Sequence, residues 1–255
     1  MRSSTAILTA IFTAAISSTS FTAVAFADET ANWQGMYGGF ALGGAYSAAM
    51  PDSRVRVNDY FVDDNTGSDP GQLNPLLNQD IEDLDVTAAA LFGYDFQSGN
   101  IVYGFEGDFG LMSFSETEAI NGIYNTNANA FSSELKVESD FSFSLRPKIG
   151  YAVDNYLFHA SFGPSISRFK TTHKFRDNAE SLSFSDTKTV LGLSSSIGAG
   201  YQLDDGWVLR GDYLFSYYPG IVDGSGYLNT GSNPDFDYDA DFMSHNIRFA
   251  LIKRF

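Results

Sequence analysis

Along most of this chain apolar and polar residues exchange places at every second position, the period of a β-strand whose two faces meet different surroundings. The clearest run is 101–111. There Ile101, Tyr103, Phe105, Phe109 and Leu111 fall on one face and Gly104, Glu106, Asp108 and Gly110 on the other. Runs at 36–46, 86–97, 140–153, 156–166, 191–202, 207–217 and 245–255 repeat the pattern. Turns of two or three residues, Ser98-Gly99-Asn100, Asp154-Asn155 and Asp204-Asp205-Gly206, link three neighbouring pairs, and long connections over 48–85, 114–138, 171–186 and 219–241 separate the others. Eight strands with alternating short and long connections predict an all-β, eight-stranded antiparallel barrel.

The polar face carries Asp95, Glu106, Asp108, Arg146, Lys148, Arg210, Asp212 and Arg248. A soluble barrel that holds a lipid in an apolar cup would have the reverse pattern, with this many charges excluded from its centre. The reading is therefore a transmembrane barrel with its apolar face toward lipid and the eight charges in the lumen. Strands three and four are hairpin neighbours, so Glu106 and Asp108 are expected to face Arg146 and Lys148. Outward aromatics flank the short turns: Tyr94, Phe96, Tyr103, Tyr151, Tyr156, Tyr201 and Trp207. Rings of this kind favour the headgroup level, which assigns the short turns to the periplasm and the long connections to the cell exterior. Pro147 and Pro164 fall inside strands four and five, where a missing N–H should interrupt or bulge the ladder. Lys253 is on the lipid-facing side, close enough to the last residue to snorkel to headgroups.

Composition narrows this further. The chain has no Cys, which rules out disulfides and thiolate sites. Its formal net charge of -16 opposes binding to nucleic acid. Residues 1–27 combine Arg2, an apolar stretch over 6–15 and the small-x-small site Ala25-Phe26-Ala27, the layout of a cleaved export signal, leaving 28–255 as one barrel domain. No later stretch approaches the ~20 apolar residues of a spanning helix.

With the strands placed, the segment 93–108, Gly-Tyr-Asp-Phe-Gln-Ser-Gly-Asn-Ile-Val-Tyr-Gly-Phe-Glu-Gly-Asp, resembles the second hairpin of the small opacity-type, porin-like outer-membrane β-barrel family. Arg146-Pro-Lys-Ile-Gly-Tyr-Ala152, Gly198-Ala-Gly-Tyr201, Trp207-Val-Leu-Arg-Gly-Asp-Tyr213 and the segment from Arg248 to Phe255 resemble its later strands. The resemblance implies export to the outer membrane, contact with its lipids and lipopolysaccharide, and a barrel without a peptidoglycan-binding domain. Phe249, Leu251 and Phe255 on the closing strand are the expected signal to the barrel-assembly machinery.

These readings lead to an integral outer-membrane protein with a structural and surface-display role, a salt-bridged lumen and no cofactor or metal. Three alternatives stay open. The lumen charges could line a narrow pore. The loops could bind a host factor or other extracellular ligand, or haem through His173 in the third long connection. His159-Ala160-Ser161 resembles the His-x-Ser element of outer-membrane lipid A deacylases, although the neighbouring Asn and a placed Glu are missing. The first and fourth connections are rich in Asp, which reads as a solvated acidic surface; divalent cations favour carboxylates, but no EF-hand spacing occurs.

Overall fold

A computed structural model describes residues 31–58, 60–65, 67–228 and 234–255. The expected export signal, 1–27, lies outside the described residues. Eight long strands carry the fold: β1 (Gly35–Pro51), β2 (Ile81–Ser98), β3 (Ile101–Ile123), β4 (Ala130–Val153), β5 (Tyr156–Asp177), β6 (Ser181–Gln202), β7 (Trp207–Gly226) and β8 (Phe236–Arg254). Each pairs antiparallel with the next, and β1 pairs with β8 to close the ring. Closure removes the sheet edges that a bilayer would leave without hydrogen bonds. No helix is long and apolar enough to cross a membrane, which says nothing against crossing by strands.

In the half of the ring next to the short turns, the predicted faces hold. Phe40, Leu42, Phe92, Phe105, Phe109, Ile149, Phe158, Ile197, Leu209 and Phe249 point outward and are exposed. Phe96 stacks on Tyr103 at 5.5 Å, and Tyr156 meets Tyr201 at 4.8 Å, beside those turns. The tight hairpins use positive φ at Gly99, Asp154, Asp205 and Gly206, as two- and three-residue connections require. Lys253 donates to the Asp205 carbonyl and lies over the Trp207 ring at 5.3 Å, so its charge reaches the turn level as expected.

The long connections differ from the expectation. Most of 114–138, 171–186 and 219–241 is strand rather than loop: β3 and β4 meet only at 124–129, β5 and β6 at 178–180, and β7 and β8 at 227–235. The physical reason is visible on β5. Its alternation continues past Ile166 but with polarity reversed: Phe169, Thr171, His173 and Phe175 turn inward and Arg168, Lys170, Lys174 and Arg176 turn outward. These positions leave the lipid, so their outer face must satisfy water and their inner face can be apolar.

Pairing also changes in this outer half. The β2–β3 ladder stops at Ala88↔Leu111 and the β6–β7 ladder at Tyr217↔Leu193, while the other ladders run on. The ring thus divides into two four-stranded sheets, β3–β4–β5–β6 and β7–β8–β1–β2. An apolar core lies between them, with Phe114, Val137, Phe169 and Phe175 from one sheet and Tyr218, Val222, Phe236 and Phe242 from the other. Phe242 meets Phe114 at 5.1 Å and Phe169 at 4.9 Å across the divide. On β4 a register shift between Ser139 and Ser142 switches which residues face in, Phe141 turning out and Ser139 in, as one inserted residue must.

The first connection holds a helix that the strand pattern does not announce, α1 (Asp69–Leu77). Ser68 caps it by accepting from the Gly71 N–H at 3.1 Å, Pro70 sits in its first turn, and Leu73 and Leu77 enter the apolar core. Pro147 and Pro164 interrupt the β4–β5 ladder between Ser144↔Ser165 and Lys148↔Ser161, with the same register on either side. The interruption matches the expectation and the bulge does not occur there. Each proline retains a partner on its other flank, Phe105 for Pro147 and Leu193 for Pro164.

Candidate functional site: the charged lumen

All eight lumen charges are buried inside the membrane half, at 5% exposure or less. They form one connected array. Nearest the short turns, Asp95 accepts from Lys148 at 2.8 Å and Arg254 at 3.0 Å. Lys148 also donates to the Tyr37 hydroxyl, which donates to Glu106, both at 2.9 Å. Glu106 is held by Arg146 at 2.9 Å and by Arg210 at 2.5 Å. Arg210 continues to Asp212 at 2.8 Å, and Asp108 is paired by Arg248 and, at 3.5 Å, by Arg146. Arg146 further donates to Ser161 at 3.0 Å and to Ser144. Each carboxylate therefore meets at least one cation, the condition under which burying charge is tolerable.

Strand register explains part of this. Glu106 lies directly opposite Arg146, as the hairpin reading requires. Lys148 instead lies opposite Gly104, and reaches over it to Asp95 on the next strand. A Cβ at Gly104 would lie 2.9 Å from an Asp95 carboxylate oxygen. Gly198 has the same role between His159 on β5 and Asp212 on β7, where a Cβ would come within 2.2 Å of the carboxylate. Two glycines thus let polar side chains pair across an intervening strand. The strand alternation did not single out Tyr37 or Arg254 for the array. Arg254 shares the inward parity of Arg248, which is the signal that would have found it.

Above the array a cavity of about 30 Å³, lined by Thr87, Asp108, Ser142, Ser216, Asn246 and Arg248 among others, has room for roughly two waters. The apolar core of the two sheets lies beyond it. His159 and Ser161 share a lumen face but do not form a catalytic pair: His159 meets Asp212 at 3.1 Å, while Ser161 bonds Arg146 and Ser196. His173 is not an exposed loop residue. It is 2% exposed between the sheets, with Nε2 2.9 Å from the Ser133 hydroxyl, so an extracellular haem cannot reach it. Burial there lowers its pKa to about 4. Among the described residues no cluster of three or more His, Cys, Asp or Glu is arranged to hold a metal ion. Phe249 and Leu251 point outward from β8, and Phe255, just past its end, is exposed.

Residues 12–246 match the model of the outer membrane protein β-barrel domain. The chain is 23% identical over 208 residues to a 31 kDa outer-membrane immunogenic protein of Brucella melitensis, covering 76% of this chain and 79% of that protein. It is 25% identical over 134 residues to a 25 kDa outer-membrane immunogenic protein of Brucella abortus, covering 52% and 53%. Among solved structures, the outer membrane protease OmpT from Escherichia coli superposes with a TM-score of 0.52 at 10% identity, covering 87% of this chain and 97% of that one. At that identity the likeness is one of fold.

Proposed function

Because the chain belongs to the outer membrane protein β-barrel family and so resides in the bacterial outer membrane, we propose that it works as a non-enzymatic structural and surface-display protein. The sealed lumen carries this reading. Paired charges fill the membrane half, and Phe114, Phe169, Tyr218 and Phe242 fill the half above it. A solute path would have to break buried ion pairs and then cross an apolar core, both at considerable cost. The immunogenic character in the names of the two Brucella proteins supports exposure of the outer half to the cell's surroundings. Outward Arg168, Lys170, Lys174 and Arg176 rise from the edge of the apolar belt on β5, a stripe suited to lipopolysaccharide phosphates. Assembly through the outward aromatic face of β8 belongs to the same proposal.

Planar-bilayer recording of purified protein tests it directly. Electrical silence is the expected result, and a steady conducting state would replace this reading with a narrow pore. A deletion strain should show raised sensitivity to detergent and chelator; unchanged sensitivity would remove the structural role.

A further inference from the structure

Where three outer connections converge, a cavity of about 140 Å³ opens at the tip of the molecule. Tyr60, Phe61 and Asp69 come from the first connection, Tyr124, Asn127 and Asn129 from the β3–β4 turn, Asp177 from the end of β5 and Ala179 from the turn that follows it. Tyr60 donates to both oxygens of Asp177 at 2.7 Å, and Tyr124 reaches the same carboxylate at 3.3 Å. Asp69 is 3% exposed and accepts from the Val62 N–H and the Thr126 hydroxyl. Burial first, and then the neighbouring Asp177, hold both phenols above the usual range, so they remain donors.

We propose that this cavity binds a small organic ammonium ion, the charged end of an aliphatic amine. In the lumen every carboxylate has an arginine or lysine. At the tip, neither Asp69 nor Asp177 has an ion-pair partner among the described residues, and no lysine or arginine lines the cavity. Two carboxylates without a counter-charge attract a cation. Three aromatic side chains in the wall favour an alkylammonium, whose charge interacts with ring faces while its carbons are sheltered. A metal ion fits less well: it requires a shell of oxygens, and those of Asp177 are already engaged by two phenols and two backbone N–H groups. The volume suits a ligand of a few heavy atoms rather than a chain of sugars.

Calorimetric titration of the full mature protein in lipid nanodiscs tests this, using putrescine, tetramethylammonium, the neutral isostere 1,4-butanediol and calcium chloride. Saturable binding of putrescine is expected, weakened at least tenfold in Asp177→Asn and in Tyr124→Leu, with no binding of the diol. Asp177 also receives the turn N–H groups of 179 and 180, so each variant is first checked for folded-barrel mobility on unheated gels. Should Asp177→Asn not fold, Tyr124→Leu and Asp69→Asn decide the matter. Equal binding of the diol, displacement of putrescine by calcium, unchanged affinity in the folded variants, or no saturable binding at millimolar concentrations would each overturn the proposal.

Discussion

The two halves of this barrel are built from the same eight strands with opposite polarity. Near the short turns the outside is Phe, Leu and Ile and the inside is Asp, Glu, Arg and Lys; in the outer half charges face out and aromatics face in. On β5 the exchange occurs between Ile166 and Arg168 without any change of parity. Burial in a protein interior is thus not what makes a residue apolar here. The surrounding solvent sets the outer face, and the inner face takes what remains: ion pairs where water is absent outside, an ordinary hydrophobic core where it is present.

That contrast predicts where the chain is vulnerable. The largest effect is expected in the lumen. Arg146→Ala removes a guanidinium shared by Glu106, Asp108 and Ser161 and should cost ~3–5 kcal/mol in urea unfolding from lipid vesicles. Adding Glu106→Gln should recover part of the loss, whereas strictly additive costs would mean that the two residues do not interact. In the outer half, Phe242→Ala should cost about 3–4 kcal/mol through a cavity in the aromatic core. Its signature is local: protease cuts within the outer strands while the membrane half retains folded mobility on gels. Global loss of the barrel would show that the halves are one cooperative unit.

A pH effect of comparable or smaller size should appear in the outer half. His173 has a folded pKa near 4, below its unfolded value of 6.5, so the unfolded chain binds more protons between these limits. Stability should be complete above about pH 6.5 and fall as pH drops toward 4, by at most roughly 3 kcal/mol. His173→Phe should flatten that dependence, and an unaltered profile would assign the acid sensitivity to other groups. The smallest effect belongs to the exterior pair of Lys174 and Glu134, whose side chains are 56% and 42% exposed. Lys174→Ala should cost under ~1 kcal/mol, and less at high salt. A larger loss would mean that the outer face is more than a solvated surface.

The strand faces of the membrane half were legible because lipid imposes a strict period of two, and the inward parity of Glu106 and Arg146 followed from it. The outer extensions were not legible, since Arg168, Lys170, Lys174 and Arg176 resemble a solvated loop until their inward neighbours Phe169 and Phe175 are read as a core. Helix α1 has a start in Ser68-Asp69-Pro70, but at nine residues it has too weak a periodicity to stand out between carboxylates. The partner of Lys148 depends on reach across Gly104, a three-strand relation that alternation along a single strand does not encode.

The seam between β1 and β8 places Tyr37 beside Arg254, joining the two ends of the barrel. Contacts of such separation form late, since the closure entropy of the whole intervening chain precedes any gain. Until they form, Asp95 lacks Arg254, Asp108 lacks Arg248 and Glu106 lacks Arg210. An unzipped sheet would carry part of its charge unneutralised at membrane depth, where ionised groups are costly. Neutralising the lumen and closing the circle are then a single event, so the bilayer itself discriminates between finished and unfinished barrels.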